Sequence, residues 1–146
     1  MTRKPRLSLR VQYAIAARNL PSRPQLRKWA CAALEHDAGI TVRIVGRAEA
    51  RALNRNFRGK DYATNVLTFV FRDAPPYAGD LVLCAPVVTR EARKHGKTVT
   101  AHYAHLVLHG VLHLQGYDHE RAKEARAMER QETGILATLG FPDPYA

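Results

Sequence analysis

Three of the seven histidines in the 146-residue chain fall in one short stretch, HGVLHLQGYDH, residues 109–119. His109 and His113 are four residues apart. At about 100° per residue, that spacing returns the second imidazole to the face of the first, one helical turn on. Gly116 follows three residues after His113, where a helix that must stop uses glycine to enter the left-handed region. A chain turning there through Tyr117 and Asp118 brings His119 back over the same face. Three imidazoles from a helix and the turn after it suit a borderline-soft cation. Zinc is the first choice, one ion per chain, with a fourth coordination position open to water.

The spacing nearly reproduces the zincin pattern H-E-x-x-H-x-x-G-x-x-H, but Gly110 stands where those peptidases carry their general-base glutamate. The ligand scaffold is present and the peptidase base is missing. The same helix also carries His102 and His105, and positions 102, 105, 109 and 113 lie within about 80° of one another by the helix period. Two of the four must therefore do something other than ligate. They either orient a ligand ring or pack as polar neighbours under a sheet.

A second constellation is RGKDYATNVLTFVF, residues 58–71. Arg58 and Lys60 flank a glycine ahead of an extended apolar run. A guanidinium in that place can fork two donors onto a phosphate, and Gly59 lets backbone approach closely. An ordinary basic loop before a strand explains these residues equally well.

The net charge of +10 is unevenly placed. Residues 1–60 hold 14 Lys+Arg against 3 Asp+Glu, and residues 61–146 hold 9 against 10. A basic half joined to a near-neutral half with the histidine motif points to a polyanion held beside the site. No stretch approaches the roughly 20 apolar residues of a membrane span. The first residues, MTRKPRLSLR, lack the apolar run of a secretory signal. Cys31 and Cys84 are expected as two buried, unpaired thiols in a reducing cytoplasm.

These side chains need elements to hold them. Alternation at Leu7, Leu9, Val11 and Tyr13 predicts an opening strand. Ser22 and Gln25 form a capping box for a helix ended by Gly39. A strand over 40–45 follows, then a helix over 48–57 with Ala52, Leu53 and Phe57 inward. Strands over 66–71 and 81–84 are separated by a turn at 73–76. Helices over 86–95, 100–115 and 120–139 complete the chain, the last with Met128, Ile135 and Leu139 as contacts. Strands come early and helices late. The expected class is α+β, one domain over 1–146 with a small mixed four-stranded sheet and about five helices. The metal site then lies on the long helix and its following turn.

Residues 109–119 meet the pattern H-G-x-L-H-L-x-G-Y-D-H at every fixed position. Residues 58–71 resemble R-G-K-D-x-P-T-N-V-L-S-F-P-F, with Ala63 and Val70 for prolines and Thr68 for serine. Gly79-Asp80-Leu81 resembles a G-D-[IL] entry to the last strand. Together these make the chain resemble the YbeY family of bacterial endoribonucleases, also described as rRNA maturation factors. The resemblance implies a metal-dependent hydrolase of single-stranded RNA, acting in small-subunit rRNA end maturation and ribosome quality control. It implies a cytoplasmic enzyme whose partner is the small subunit, with no membrane and no small-molecule cofactor.

By the same resemblance His109, His113 and His119 hold zinc, and Arg58 serves catalysis or RNA binding with Lys60 beside it. A three-histidine zinc site can bring its water to a pKa of about 7 without a neighbouring glutamate. Attack by water and attack by the RNA's own 2′-hydroxyl both remain open, and Asp80 and Asp118 are the candidates for a general acid. Two rivals stand beside this reading. One is a zincin-like metallopeptidase. The other is a non-catalytic rRNA-binding assembly factor with a structural zinc whose fourth ligand is His105 or Cys84.

Overall fold

The computed structural model describes residues 3–117 and 121–146. Its elements run β1 (Leu7–Tyr13), α1 (Arg23–Ala32), β2 (Ala38–Val45), α2 (Arg47–Arg58), β3 (Val66–Arg72), β4 (Tyr77–Cys84), α3 (Ala85–Lys94), α4 (Val99–Leu114) and α5 (Ala122–Thr138). The sheet order is β1-β2-β4-β3, parallel across β1, β2 and β4, with β3 antiparallel at the edge. This is the expected α+β class, a mixed four-stranded sheet with five helices among the described residues. No described helix is long and apolar enough to cross a membrane.

Side-chain alternation divides the sheet into two faces. Ile40, Val42, Ile44, Leu81 and Leu83 join Leu26 and Trp29 of α1 and much of α4 in the larger core. Val45, Leu67, Val82 and Cys84 face the other way, against Ala50 and Leu53 of α2 and Val87 of α3. α5 packs on the outside of α4, with Met128 and Leu136 buried and Ile135 and Leu139 partly so.

Two glycines set how closely α4 lies on β4. A Cβ at Gly79 would fall 2.2 Å from Leu114 Cδ1 and 2.3 Å from the Phe69 carbonyl oxygen. A Cβ at Gly110 would fall 2.7 Å from Leu81 Cδ2. The position that would carry a zincin glutamate is therefore the packing face of α4. A carboxylate there would enter the sheet rather than the cleft.

Several boundaries differ from expectation for visible reasons. α1 ends at Ala32, and Gly39 belongs to β2 opposite Ser8 and Ala78. The chain leaves the helix early because the Gln115 side chain caps its end. Gln115 Oε1 accepts from the Glu35 and His36 N–H groups, and its Nε2 donates to the Ala33 carbonyl. β4 begins at Tyr77 rather than at 81, since parallel pairing with β2 already starts at Ala38 opposite Tyr77. Phe57 is 67% exposed instead of inward. The last turn of α2 overhangs β3, and Phe57 meets Phe69 edge-on at 5.2 Å. The buried residue there is Asn54, whose amide donates to the Tyr62 carbonyl. Cys31 is exposed, so only Cys84 matches the expected buried thiol.

The close packing makes an ordering prediction. Gly79→Ala forces backbone apart and should destabilise the fold by about 3 kcal/mol. Gly110→Ala meets only the end of a leucine side chain, and the helix regains about 1 kcal/mol in propensity, so its net effect should stay below about 2 kcal/mol. Urea unfolding with unchanged m-values measures both. Equal losses, or the reverse order, would contradict the packing.

Candidate metal centre

α4 is capped at its start by Thr98, whose hydroxyl accepts from the Ala101 N–H. It ends in a Schellman turn: the Gly116 N–H donates to the His113 carbonyl and the Tyr117 N–H to the Leu112 carbonyl, with Gly116 at φ 101°. Gly116 thus stops the helix where the sequence predicted. The same turn brings the Tyr117 carbonyl to His113 Nδ1 at 3.0 Å. A carbonyl only accepts, so the proton of that imidazole sits on Nδ1.

His102, His105, His109 and His113 form a ladder, with neighbouring ring centroids 6.4 to 6.5 Å apart. The His109 and His113 rings are parallel to within 6°. His109 Nδ1 meets Glu132 Oε1 at 2.6 Å. Glu132, on α5, is fully buried. Its second oxygen takes His105 Nε2 at 3.3 Å and the Tyr145 hydroxyl. Burial alone would push the Glu132 carboxyl up, but hydrogen bonds from His105, His109 and Tyr145 outweigh it and hold the pKa at about 2. The ionised carboxylate fixes the His109 proton on Nδ1 as well. Both rings then offer Nε2 as the lone-pair nitrogen, the form in which imidazole binds a divalent ion. The donor set fits such an ion.

Glu132 and Tyr145 were not singled out by the sequence reading. No local motif marks them, because they come from the last helix and the chain end and meet α4 only in three dimensions. The remaining candidates divide. His119 and Asp118 lie outside the described residues. Among the described residues no three His, Cys, Asp or Glu side chains gather as a metal site. His105 binds the Glu132 carboxylate, the partner of His109. His102 packs between α4 and α3, with Nε2 2.9 Å from Glu91 Oε1, rather than under the sheet.

Cys84 faces α2 across the sheet and cannot be a fourth ligand beside these histidines. Asp80 shares that far face, one residue from Gly79 and Leu81, which both touch α4. Burial raises its carboxyl, with Thr41 across on β2 pulling the other way. A raised carboxyl suits a general acid, but the geometry removes Asp80 from the candidates.

Arg58 is the last residue of α2 and exposed; α2 packs on the face of the sheet opposite α4, and its Phe57 meets Phe69 of β3. Among the described residues no hydrogen bond or ion pair links it to His109 or His113. Gly59 takes φ 69°, and Lys60 is exposed after it. Arg43 and Arg51 are held by Glu49 and Asp61. A separate groove of about 430 Å³ is lined by Arg18, Arg47, Arg90 and Arg93. The basic surface therefore draws on α3 as well as on the first 60 residues.

His102 gives the site a pH signature. Burial lowers its pKa most, with the Glu91 hydrogen bond opposing. Its buried Nδ1 has no partner among the described residues, which suits the unprotonated nitrogen. Since the folded pKa lies below the unfolded one, the unfolded chain binds more protons as pH falls through the unfolded value near 6.5, and stability drops there. Chemical denaturation between pH 8 and 5.5 should show that loss, and His102→Gln should make it shallower. An identical pH slope in the variant would contradict the assignment.

Comparisons with known proteins give the family. The family model described as Endoribonuclease YbeY matches residues 21–140. A protein of that name from Aromatoleum aromaticum is 60% identical, covering 99% of this chain and 96% of the relative. One from Thiobacillus denitrificans is 57% identical over 97% of each chain. The solution structure of a Thermotoga maritima protein superposes with a TM-score of 0.57 at 26% identity, over 90% of this chain and 91% of that one. With its histidine ladder on α4 and its mixed sheet, the chain belongs to the YbeY family of endoribonucleases.

Proposed function

We propose that this endoribonuclease of rRNA processing cuts single-stranded RNA with one zinc ion held by His109, His113 and His119. The observation that carries the reading is the pair of parallel imidazoles whose Nδ1 protons are committed to Glu132 and to the Tyr117 carbonyl. His119 joins them on sequence spacing. When bound, the ion supplies a Lewis-acid centre that polarises water and a phosphoryl oxygen. Glu132 holds the His109 ring in register and raises its basicity, with Tyr145 and His105 holding Glu132 in turn.

Arg58 and Lys60 flank a left-handed glycine beside the edge strand, so a strand of RNA crossing β3 meets them on one side and the α4 histidines on the other. Their charges would bind its phosphates outside the cut, an RNA-binding role, since α2 stands across the sheet from the histidines that would meet the scissile group. The wider basic surface, including the groove at Arg47 and Arg90, suits flanking phosphates of the small-subunit rRNA in the cytoplasm. The peptidase rival lacks its base, and Gly110 leaves no room for one. The non-catalytic rival is at odds with the family.

Purified protein should carry about one zinc per chain and cut single-stranded RNA while leaving an unfolded protein substrate intact. His109→Ala should abolish cutting with the fold preserved, and Glu132→Gln should lower zinc affinity by about 10- to 100-fold. Metal content, thermal unfolding and cleavage of a labelled oligonucleotide measure these outcomes. Full zinc and full activity in both variants would reject the ligand set. Binding should also weaken with salt at a log–log slope of about −0.7 per phosphate contacted, and a flat response would mean that the basic surface does not hold RNA phosphates.

A further inference from the structure

β3 is the edge strand, and its pairing with β4 is interrupted. Val70 sits opposite Gly79 and Arg72 opposite Ala78, leaving Phe71 without a partner. Such a bulge re-aims a side chain and often lies next to an active site. Here it turns the Phe71 ring outward, 70% exposed, with Val70 also exposed beside it. Phe71, Val70, Asp73, Tyr77 and His113 line one open cleft of about 480 Å³. Phe71 and a metal-ligand candidate therefore share a single cavity.

At its Phe71 end that cavity offers a phosphate no cation. Its described lining has one carboxylate, Asp73, and no Lys or Arg, so a phosphate belongs at the His113 end and the Phe71 end suits a neutral group. A neutral flat ring is a better match: the walls are aromatic and aliphatic, and an exposed phenyl face gains by covering it. The phosphate-binding groups lie elsewhere, on α2 and around the Arg47 groove. The substrate thus divides into a backbone that follows the arginines and a base that needs an apolar surface.

We propose that Phe71 is the stacking platform of this nuclease, on which a nucleobase flanking the scissile phosphate lies while the phosphate meets the histidines. The assignment rests on the single-stranded RNA reading. A base must leave its neighbours to lie on Phe71, which a single strand allows readily and a duplex resists. Base–aromatic stacking is sequence-tolerant because every base has a π-face. The platform therefore selects for strandedness rather than for one base.

The test uses the full-length protein as purified with its metal and a short single-stranded RNA whose cut site has been mapped. An abasic nucleotide is moved along the oligonucleotide, and 2-aminopurine is then placed at the most sensitive position. For wild type, the abasic substitution next to the cut should raise KM about tenfold, and Phe71→Ala should do the same to the intact RNA. Combined, the two should cost no more than either alone, and Phe71→Trp should restore KM. The 2-aminopurine should be quenched on binding to wild type and to Phe71→Trp but not to Phe71→Ala.

Phe71→Ala with unchanged KM and unchanged quenching, in a protein that cuts RNA normally, would overturn the platform and leave the nuclease reading standing. Additive losses would overturn it too, since the base would then rest elsewhere. Loss of self-association or of protein binding in Phe71→Ala, with RNA kinetics untouched, would make the ring a protein contact. If wild type binds no single-stranded RNA at all, the nuclease reading falls and the platform with it.

Discussion

α4 lies on β4 with glycine at both points of closest approach, and the site depends on that contact. Any side chain at Gly79 would overlap Leu114 and the Phe69 carbonyl, and one at Gly110 would press on Leu81. Interiors packed to crystal-like density do not absorb such volumes without displacement. With Gly110 committed to the sheet, the helix period sets His109 about 100° and His113 about 60° around α4 from that contact, on its flank rather than beneath it. The helix cannot rotate to present another face without opening that contact. Gln115 strengthens the arrangement by tying the end of α1 to α4.

α5 completes what α4 begins. A buried carboxylate loses several kcal/mol of hydration unless donors replace the water. Glu132 has three, from His105, His109 and Tyr145. The bonds that offset its burial also fix the tautomer of His109, so docking of α5 and preparation of the site are one event. On the opposite end of the ladder, the Schellman turn at Gly116 does the corresponding work for His113 through a backbone carbonyl. Two rings receive the same tautomer from unrelated devices, one a side chain distant in sequence and the other the helix's own terminus.

Local signals in the sequence carried much of this. The capping box at Ser22 and Gln25, the stop at Gly116 and the spacing of His109 and His113 are readable because each is a short-range relation. The α+β class followed from strands preceding helices. Misreadings arose where tertiary contacts decided. Gly39 looks like a helix stop, but Gln115 ends α1 sooner and β2 pairing claims the glycine. Phe57 looks like core because its spacing is right, yet it lies at the surface against the edge of the Phe69 ring. Asp80 and Cys84 look like chemical candidates until the pleat turns both away from α4. Glu132 and Tyr145 carry no motif, since their meaning lies in a fold that brings the chain's end against α4.

In the proposed function the histidines of α4 and the turn after it form a catalytic rather than a closed structural metal centre. X-ray absorption at the zinc edge of the purified protein tests it directly, by counting and typing the ligands. A catalytic centre gives three imidazole nitrogens at about 2.0–2.1 Å and one exchangeable light ligand, with no sulfur. The light ligand should be displaced by added inorganic phosphate. Four protein ligands, or a sulfur at about 2.3 Å, would contradict it and return the metal to a structural role.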